Sequence, residues 1–258
     1  MAEPRRQLTG PAQIAAALDA GEPVRLLLAA AAPKSRAAQA LLARARAAGI
    51  PVHEASERVL WRLGGGANPA EVLGLAGPPP DAGLDEMLAA GGVAWCLVGL
   101  AYPGNTGFAL RLAEVSGADG VVVESAFEAG HRPDAATGAG RQRGAPHEAR
   151  REALRAAMRA DRFMPVFWER ALHVIPRARA AGRAIVAVED TGDTAPWRFD
   201  LRQPLLLLVG GERHGIPREV LRACDSAIRI PMRGFIPSYN VQAAMAMVAG
   251  ERLRQLGA

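Results

Sequence analysis

The chain has 258 residues, of which 50% are hydrophobic and 22% are charged. This apolar content is enough for a packed core and excludes a disordered chain. Lysine plus arginine number 31 against 26 for aspartate plus glutamate, and nearly all of the basic charge is arginine because Lys34 is the only lysine. Since the guanidinium group binds phosphate in a planar fork, the net charge of +5 hints at a polyanionic partner without proving one.

Cysteine and histidine usage excludes two classes of site. Cys96 and Cys224 lie far apart with no CxxC pair, and the five histidines are scattered, so we predict neither a disulfide scaffold nor a metal site. No apolar run approaches the roughly 18 residues that a membrane-spanning helix needs, and the first residues do not resemble a signal peptide. We therefore expect a cytoplasmic protein without a membrane partner.

Short helices and strands alternate in the first part of the chain. The hydrophobic patterns and flanking glycines predict helices at 11–20, 35–48 and 56–63, and strands at 24–30 and 51–54. GGGANP is a loop, and GPPPDAG is the strongest linker signal because its three prolines exclude a helix or a central strand. We therefore predict a small α/β domain at 1–77 and a linker at 78–92.

The second part, residues 93–258, alternates in the same way. Strands are predicted at 93–100, 120–124, 164–168, 184–189 and 204–210, and helices at 106–116, at 146–162, between 168 and 181, and at 238–256. A segment rich in Gly, Pro, Arg and His is predicted to form a loop at 129–147. Because the strands are continuous apolar runs separated by helices, we predict an α/β fold whose parallel sheet is covered on both faces.

Three segments place polar residues directly after predicted strands. YPGNTGFALR puts Asn105 at a helix N-cap position and Arg111 six residues later. LLLLVGGERHGIP runs from a buried strand into two glycines and then Glu212, and IPMRGFIPSYN opens the last helix with Ser238 and Asn240. Each segment alone is also explained by a capped helix or a tight turn. Together they lie at the carboxyl ends of strands, where open α/β sheets bind ligands.

The order of these motifs resembles the SpoU (TrmH) family of RNA ribose 2′-O-methyltransferases, in the SPOUT class. The pattern is N-x-x-x-x-x-R, then G-x-E-x-x-G, then I-P-M followed by S-x-N, and it covers about residues 93–256. The resemblance implies a trefoil knot near the C-terminus, S-adenosylmethionine (AdoMet) as methyl donor, and a homodimer that completes the active centre. It also implies that the first domain binds RNA, with rRNA slightly favoured over tRNA.

The resemblance further implies which residues form the site. The catalytic set is Asn105, Arg111, Glu212, Ser238 and Asn240, and the cofactor set is Val209, Gly210, Ile230, Met232 and Tyr239. The residues expected to contact RNA are Arg111, Arg155 and Arg213. Arg111 would either remove the ribose proton or place a phosphate and stabilise the developing alkoxide, with Glu212 as a natural partner for its guanidinium.

Two alternatives remain open at this point. A protein of the same fold could be an inactive RNA-binding or ribosome-assembly factor, although the complete catalytic set argues against it. A SPOUT enzyme could instead methylate a base nitrogen, which would require a different acid or base. A nicotinamide-binding protein is least favoured because no GxGxxG follows a strand.

The basic charge is concentrated in one segment. Residues 132–183 hold 12 arginines and 5 acidic residues, whereas the rest of the chain holds 19 basic and 21 acidic residues. The segment therefore has a net charge of +7 on a slightly acidic body. A phosphate backbone is the natural counterpart of such a segment, so we predict that it contacts RNA.

Overall fold

A computed structural model of the chain describes residues 5–65, 70–126, 146–236 and 238–257. They form two compact units, which divide between Pro79 and Pro80. Among these residues, no helix is both long and apolar enough to cross a membrane. Most of the loop predicted at 129–147 and most of GGGANP lie outside the described residues.

The first unit is a small sheet with helices packed against it. Its elements are β1 (Arg6–Thr9), α1 (Gly10–Asp19), β2 (Val24–Ala29), α2 (Arg36–Ala47), β3 (Val52–Glu54), α3 (Glu57–Leu63) and β4 (Val72–Ala76). The strand order is β1-β4-β2-β3, in which β2 and β3 are parallel and β4 is antiparallel to both of its neighbours. The sheet is therefore mixed.

The predicted helices and strands of this unit are confirmed, but the sequence patterns do not predict β1 or β4. The glycine in β4 obscures its strand pattern, because glycine is depleted in strands. The structure gives a packing reason for this glycine: a Cβ on Gly74 would lie 3.2 Å from Cγ1 of Ile14. A larger residue at this position would therefore require the Ile14 side chain of α1 to shift by a few tenths of an ångström.

The second unit is built on a parallel sheet of six strands. Its elements are α4 (Leu84–Ala89), β5 (Val93–Leu100), α5 (Pro103–Val115), β6 (Gly120–Ser125), α6 (Pro146–Ala156), β7 (Val166–Trp168), α7 (Ala171–Ala180), β8 (Ala184–Val188), β9 (Leu205–Gly210), α8 (Arg218–Arg222), β10 (Ser226–Ile228) and α9 (Val241–Leu256). The strand order is β10-β8-β9-β5-β6-β7, and every pair of neighbours is parallel. The predicted fold class is confirmed.

Helices cover both faces of this sheet, as the apolar strands predict. On β5, Trp95 and Leu97 belong to a core cluster that includes residues of α5 and α9. Cys96, on the opposite face of the strand, belongs to a second cluster with residues of α4 and α7. Helix α4 lies within the segment predicted as a linker, and it buries Met87 and Leu88 in this second cluster.

Three helix boundaries differ from the prediction. Helix α5 begins at Pro103 with Tyr102 as its N-cap, so Asn105 lies inside the first turn and is not the cap. Helix α9 is capped by Asn240, whose side-chain oxygen accepts a hydrogen bond from the Gln242 amide at 2.9 Å, and not by Ser238. Helix α6 ends at Ala156. It does not continue to residue 162 because Met158 and Arg159 adopt the left-handed conformation, with φ of 54° and 61°.

A buried arginine closes the amino-terminal edge of the parallel sheet. The side chain of Arg183, which precedes β8, has no exposed surface. Its guanidinium donates five hydrogen bonds: to the carbonyl oxygens of Leu88 (2.6 Å), Met87 (2.9 Å), Gly92 (2.9 Å) and Leu205 (2.9 Å), and to the Asp119 carboxylate (2.6 Å). One member of the basic segment is therefore structural and cannot meet RNA.

Candidate active site

The three segments that follow the strands meet at the carboxyl-terminal edge of the second sheet. Strands β5 and β9 are parallel neighbours in which Val98 pairs with Gly210, so both strands end at the same place. Helix α5 begins after β5, and the Glu212 loop begins after β9. The first turn of α9 lies beside them because α9 packs against α5. Such an edge is where open α/β sheets bind ligands.

A chain of hydrogen bonds joins one side chain from each segment. The Asn105 amide nitrogen donates to Oε1 of Glu212 at 2.5 Å, and the Asn105 amide oxygen accepts from Nε2 of Gln242 at 3.2 Å. Oε2 of Glu212 lies 3.4 Å from the backbone nitrogen of Ala101, which follows β5. Because one partner is a carboxylate and the other an amide donor, the Asn105 amide has only one orientation that satisfies both.

The loop after β9 is held in a tight conformation. The Gly215 amide donates to the Gly211 carbonyl at 3.0 Å, and the next amide, that of Ile216, donates to Oε1 of Glu189 at 2.7 Å. A Cβ on Gly210 would lie 2.2 Å from the carbonyl carbon of Gly215, so the backbone closes on itself where a side chain would clash. The loop thereby carries Glu212 in a fixed position.

Arg111 does not join this chain of hydrogen bonds. It lies two turns into α5, is exposed, and forms no hydrogen bond or ion pair with a residue that the structure describes. Glu212 therefore contacts the amide of Asn105 and not the guanidinium that we expected as its partner. Ser238 is also exposed, and Asn240 uses its side-chain oxygen to cap α9.

The expected cofactor residues combine apolar side chains with open backbone. Val209 and Ile230 are 2% and 9% exposed, Met232 is half-buried, and the Tyr239 hydroxyl donates to the Pro231 carbonyl at 3.4 Å. From residue 230 to 236, no backbone group forms a backbone–backbone hydrogen bond with another described residue. Backbone N–H and C=O groups that form no backbone–backbone hydrogen bond, and that lie beside apolar side chains, suit an adenine, whose edges carry both donors and acceptors.

Besides Arg111 on α5, the two other residues expected to contact RNA lie on two different elements. Arg155 is exposed on α6, one turn after the exposed Arg151. Helix α6 packs so closely on α5 that a Cβ on Gly107 would lie 2.4 Å from the Ala153 carbonyl oxygen. Arg213 follows Glu212 and donates a hydrogen bond to the Tyr102 hydroxyl at 3.1 Å.

Other arginines of the basic segment already have acidic partners. Arg159 pairs with Asp161 at 2.9 Å, Arg177 with Asp85 at 2.7 Å, and Arg179 with Asp225 at 2.7 Å. The charge that is available for a phosphate backbone is therefore smaller than the sequence count implies.

Sequence reasoning missed three residues at this edge: Gln242, Glu189 and Tyr102. Gln242 has a weak signal, because it stands two residues after Asn240 in the first turn of a predicted helix. Glu189 ends a predicted strand, and Tyr102 precedes a predicted helix, but neither position indicates its partner. Their contacts are with residues distant in the chain, so only the tertiary structure reveals them.

Comparison with known proteins agrees with this geometry. The model of the SpoU rRNA Methylase family matches residues 141–250. A 23S rRNA (uridine(2479)-2′-O)-methyltransferase of Streptomyces viridochromogenes is 32% identical over 155 residues, which are 59% of this chain and 49% of that protein. A 23S rRNA (guanosine-2′-O-)-methyltransferase of Xylella fastidiosa is 28% identical over 217 residues, which are 82% of this chain and 80% of that protein.

A solved structure supports the same assignment over nearly the whole chain. An AdoMet-bound rRNA methyltransferase from Sinorhizobium meliloti matches with a TM-score of 0.55 and 25% identity, covering 98% of this chain and 88% of that chain. The chain spans less than two thirds of the length of most of the curated relatives that it matches. The family model places residues 141–250 in the SpoU rRNA Methylase family, and the motifs, the sheet and these matches extend the similarity to this SpoU (TrmH) family, of the SPOUT class, over the second unit.

Proposed function

We propose that the protein transfers a methyl group from AdoMet to a ribose 2′-hydroxyl of RNA. The observation that carries this proposal is the chain of hydrogen bonds from Gln242 through Asn105 to Glu212, since it brings the three family motifs together at one edge of the sheet. The similar 23S rRNA 2′-O-methyltransferases of Streptomyces viridochromogenes and Xylella fastidiosa support this choice of atom. Asn240, which caps α9 beside these hydrogen bonds, fits the same site.

The loop residues fit AdoMet as the methyl donor. Val209 and Ile230 would contact the adenosine, and the open backbone between Ile230 and Ile236 would read its base edge. Gly210, Met232 and Tyr239 would complete this pocket. When bound, AdoMet supplies a methyl group that is already activated by its sulfonium, and this reaction therefore requires no metal.

The side chains of the protein would align the ribose and manage its proton. The carboxylate of Glu212 already accepts the Asn105 amide, so its role is to orient that amide and not to act as a free base. The exposed guanidinium of Arg111 is free to bind a phosphate of the substrate and to stabilise the alkoxide as the hydroxyl loses its proton. Ser238, exposed before α9, would bind the ribose.

We also propose a homodimer in which the partner covers part of α5 and α9. Phe108 and Val115 of α5 are 47% and 74% exposed, and Met247 of α9 is 42% exposed. Arg111 lies between Phe108 and Val115 on the same side of α5, and exposed apolar side chains grouped in this way are typical of interfaces. A partner there would bring its own side chains to the Arg111 guanidinium.

Three further parts of the proposal follow from the family. The chain from β9 to α9 would be threaded as a trefoil knot, which is supported by β10 lying beside β8 while α9 packs against α5. The unit before Pro80 would bind the RNA, with rRNA favoured over tRNA. The reaction would then take place in the cytoplasm.

The proposal is tested by methyl transfer from labelled AdoMet to unmodified 23S rRNA transcript and to bulk tRNA. We expect transfer to RNA by the wild type, and at least a tenfold loss of kcat in Asn105→Ala, because that change removes both hydrogen bonds of the central amide. Gln203→Ala is a matched control, since among the described residues the Gln203 side chain donates a hydrogen bond only to the Asp200 carbonyl, at 2.9 Å, in the loop before β9. AdoMet binding without transfer to any RNA would favour an inactive RNA-binding factor and contradict the proposal.

A further inference from the structure

An exposed tyrosine ring lies beside the candidate active site. Tyr102 precedes α5 by one residue and is 41% exposed. Its backbone is fixed, because its carbonyl oxygen accepts from the Thr106 amide at 3.1 Å and from the Thr106 hydroxyl at 3.3 Å. Asn105, whose amide is the centre of the hydrogen-bonded chain, follows three residues later in the same turn. The ring is therefore presented to solvent from a rigid position next to the proposed reaction centre.

An arginine from a different element holds the phenol group of this tyrosine. Nη2 of Arg213 donates to the Tyr102 hydroxyl at 3.1 Å, and Arg213 directly follows Glu212 in the tight loop after β9. A guanidinium has five N–H donors. Arg213 forms no ion pair with the part of the chain that the structure describes, so its other donors remain available for an anion.

We infer that Tyr102 and Arg213 form a nucleotide subsite, in which a base stacks on the tyrosine ring and the adjoining phosphodiester binds the guanidinium. The inference rests on the proposed function, because it takes the bound polymer to be the RNA substrate. Aromatic rings stack with any of the four bases, and arginine pairs with phosphate. A subsite of this kind holds a nucleotide next to the reacting ribose without selecting its base.

A purely structural role for the pair would have a different signature. A hydrogen bond between two exposed side chains contributes little to stability because water competes for both groups. If the pair only positioned the Glu212 loop, the hydroxyl of Tyr102 would be its essential part. If it binds a base, the ring is essential and the hydroxyl is not. Replacing tyrosine by phenylalanine separates these two roles.

The test compares Tyr102→Ala with Tyr102→Phe in the whole 258-residue chain. With unmodified 23S rRNA transcript as substrate, we expect the alanine variant to raise KM by about 5- to 150-fold, the effect of losing one base–aromatic stack. We expect the phenylalanine variant to stay within about threefold of the wild type and kcat to change little in both. AdoMet affinity, measured by calorimetry, should be unchanged. Trp197→Ala removes another exposed aromatic ring of this unit and serves as the control.

A binding measurement separates this inference from the proposed function. Filter binding of a single-stranded oligouridylate requires no methyl transfer, so a loss in Tyr102→Ala that is absent in Tyr102→Phe supports the subsite even if no RNA is methylated. In that case the proposed function alone fails. Equal losses in both variants would assign Tyr102 to loop positioning and overturn the inference. Unchanged KM and unchanged oligouridylate binding in Tyr102→Ala would overturn it as well.

Discussion

Replacing Arg183 by methionine tests how the amino-terminal edge of the parallel sheet is stabilised. The substitution keeps a long apolar side chain but removes all five hydrogen bonds of the buried guanidinium. The Asp119 carboxylate, whose side chain is only 13% exposed, loses its ion pair with Arg183 but keeps the hydrogen bond that it accepts from the Gly92 amide at 2.8 Å. The carbonyl oxygens of Gly92 and Met87 keep a second donor each, from Leu205 and Ala90, so the ion pair with Asp119 is the main loss.

Removing one partner of a buried ion pair costs about 3–5 kcal/mol of unfolding free energy. For a unit of about 180 residues, each kcal/mol lowers the melting temperature by about 2–4 °C, so we expect a decrease of roughly 6–20 °C. Thermal unfolding followed by tryptophan fluorescence measures this decrease, because Trp95 is 1% exposed on β5 and reports on this unit.

Two variants control this measurement. Arg177→Met removes an ion pair with Asp85 whose side chains are 45% and 78% exposed, and such a surface pair contributes at most about 1 kcal/mol. Combining Arg183→Met with Asp119→Asn removes the buried negative charge that has lost its guanidinium and should recover part of the lost stability. An Arg183→Met protein that loses no more than the Arg177→Met protein would refute the reasoning.

Three further predictions concern charged residues. Arg111→Ala should abolish methyl transfer while calorimetry still detects AdoMet binding, because the guanidinium is exposed and outside the proposed cofactor pocket; loss of both would contradict its role. Arg151→Glu and Arg155→Glu should each weaken RNA binding and lower the slope of log K against log salt by about 1; an unchanged slope would exclude phosphate contact. Hydrogen bonds from Arg254 and Gln255 lower the pKa of Glu251 to about 2. This carboxylate therefore stabilises the folded state above its ordinary pKa near 4.5, and that contribution is lost as the pH falls towards 2. Acid titrations of unfolding should show a smaller loss over this range in Glu251→Gln, and identical titrations would contradict the assignment.

Five of the six strands in the sheet of the second unit could be predicted from sequence, because each of the five is a continuous apolar run bounded by glycine, proline or charge. Short elements could not be predicted in the same way. Strand β10, with three residues, and helix α8, with five, contain too few residues for a hydrophobic period to be recognised. The observed starts of α5 and α9 differ from the predicted ones. Several polar residues near each start are plausible caps, and only the backbone conformation selects Tyr102 and Asn240.

For the candidate site as well, the sequence predicts several of the residues that take part but not the contacts between them. Motif spacing places Asn105 and Glu212 at strand ends, and the structure brings them within 2.5 Å of each other. The partners Gln242 and Glu189 could not be identified, since each acts across the sheet edge on a residue far away in the chain. The charge count of the basic segment was also incomplete as a guide to RNA contacts, because it counts the buried Arg183 together with the exposed Arg155.

The most direct test of the proposed function is to locate the transferred methyl group on the RNA. Unmodified 23S rRNA transcript is methylated with labelled AdoMet and then hydrolysed completely in alkali, which cleaves after every nucleotide that has a free 2′-hydroxyl. A methyl group on a ribose 2′ oxygen blocks this cleavage, so we predict that the label is recovered in an alkali-resistant dinucleotide. Label recovered in mononucleotides, on a base, would contradict the assignment of the protein as a ribose methyltransferase.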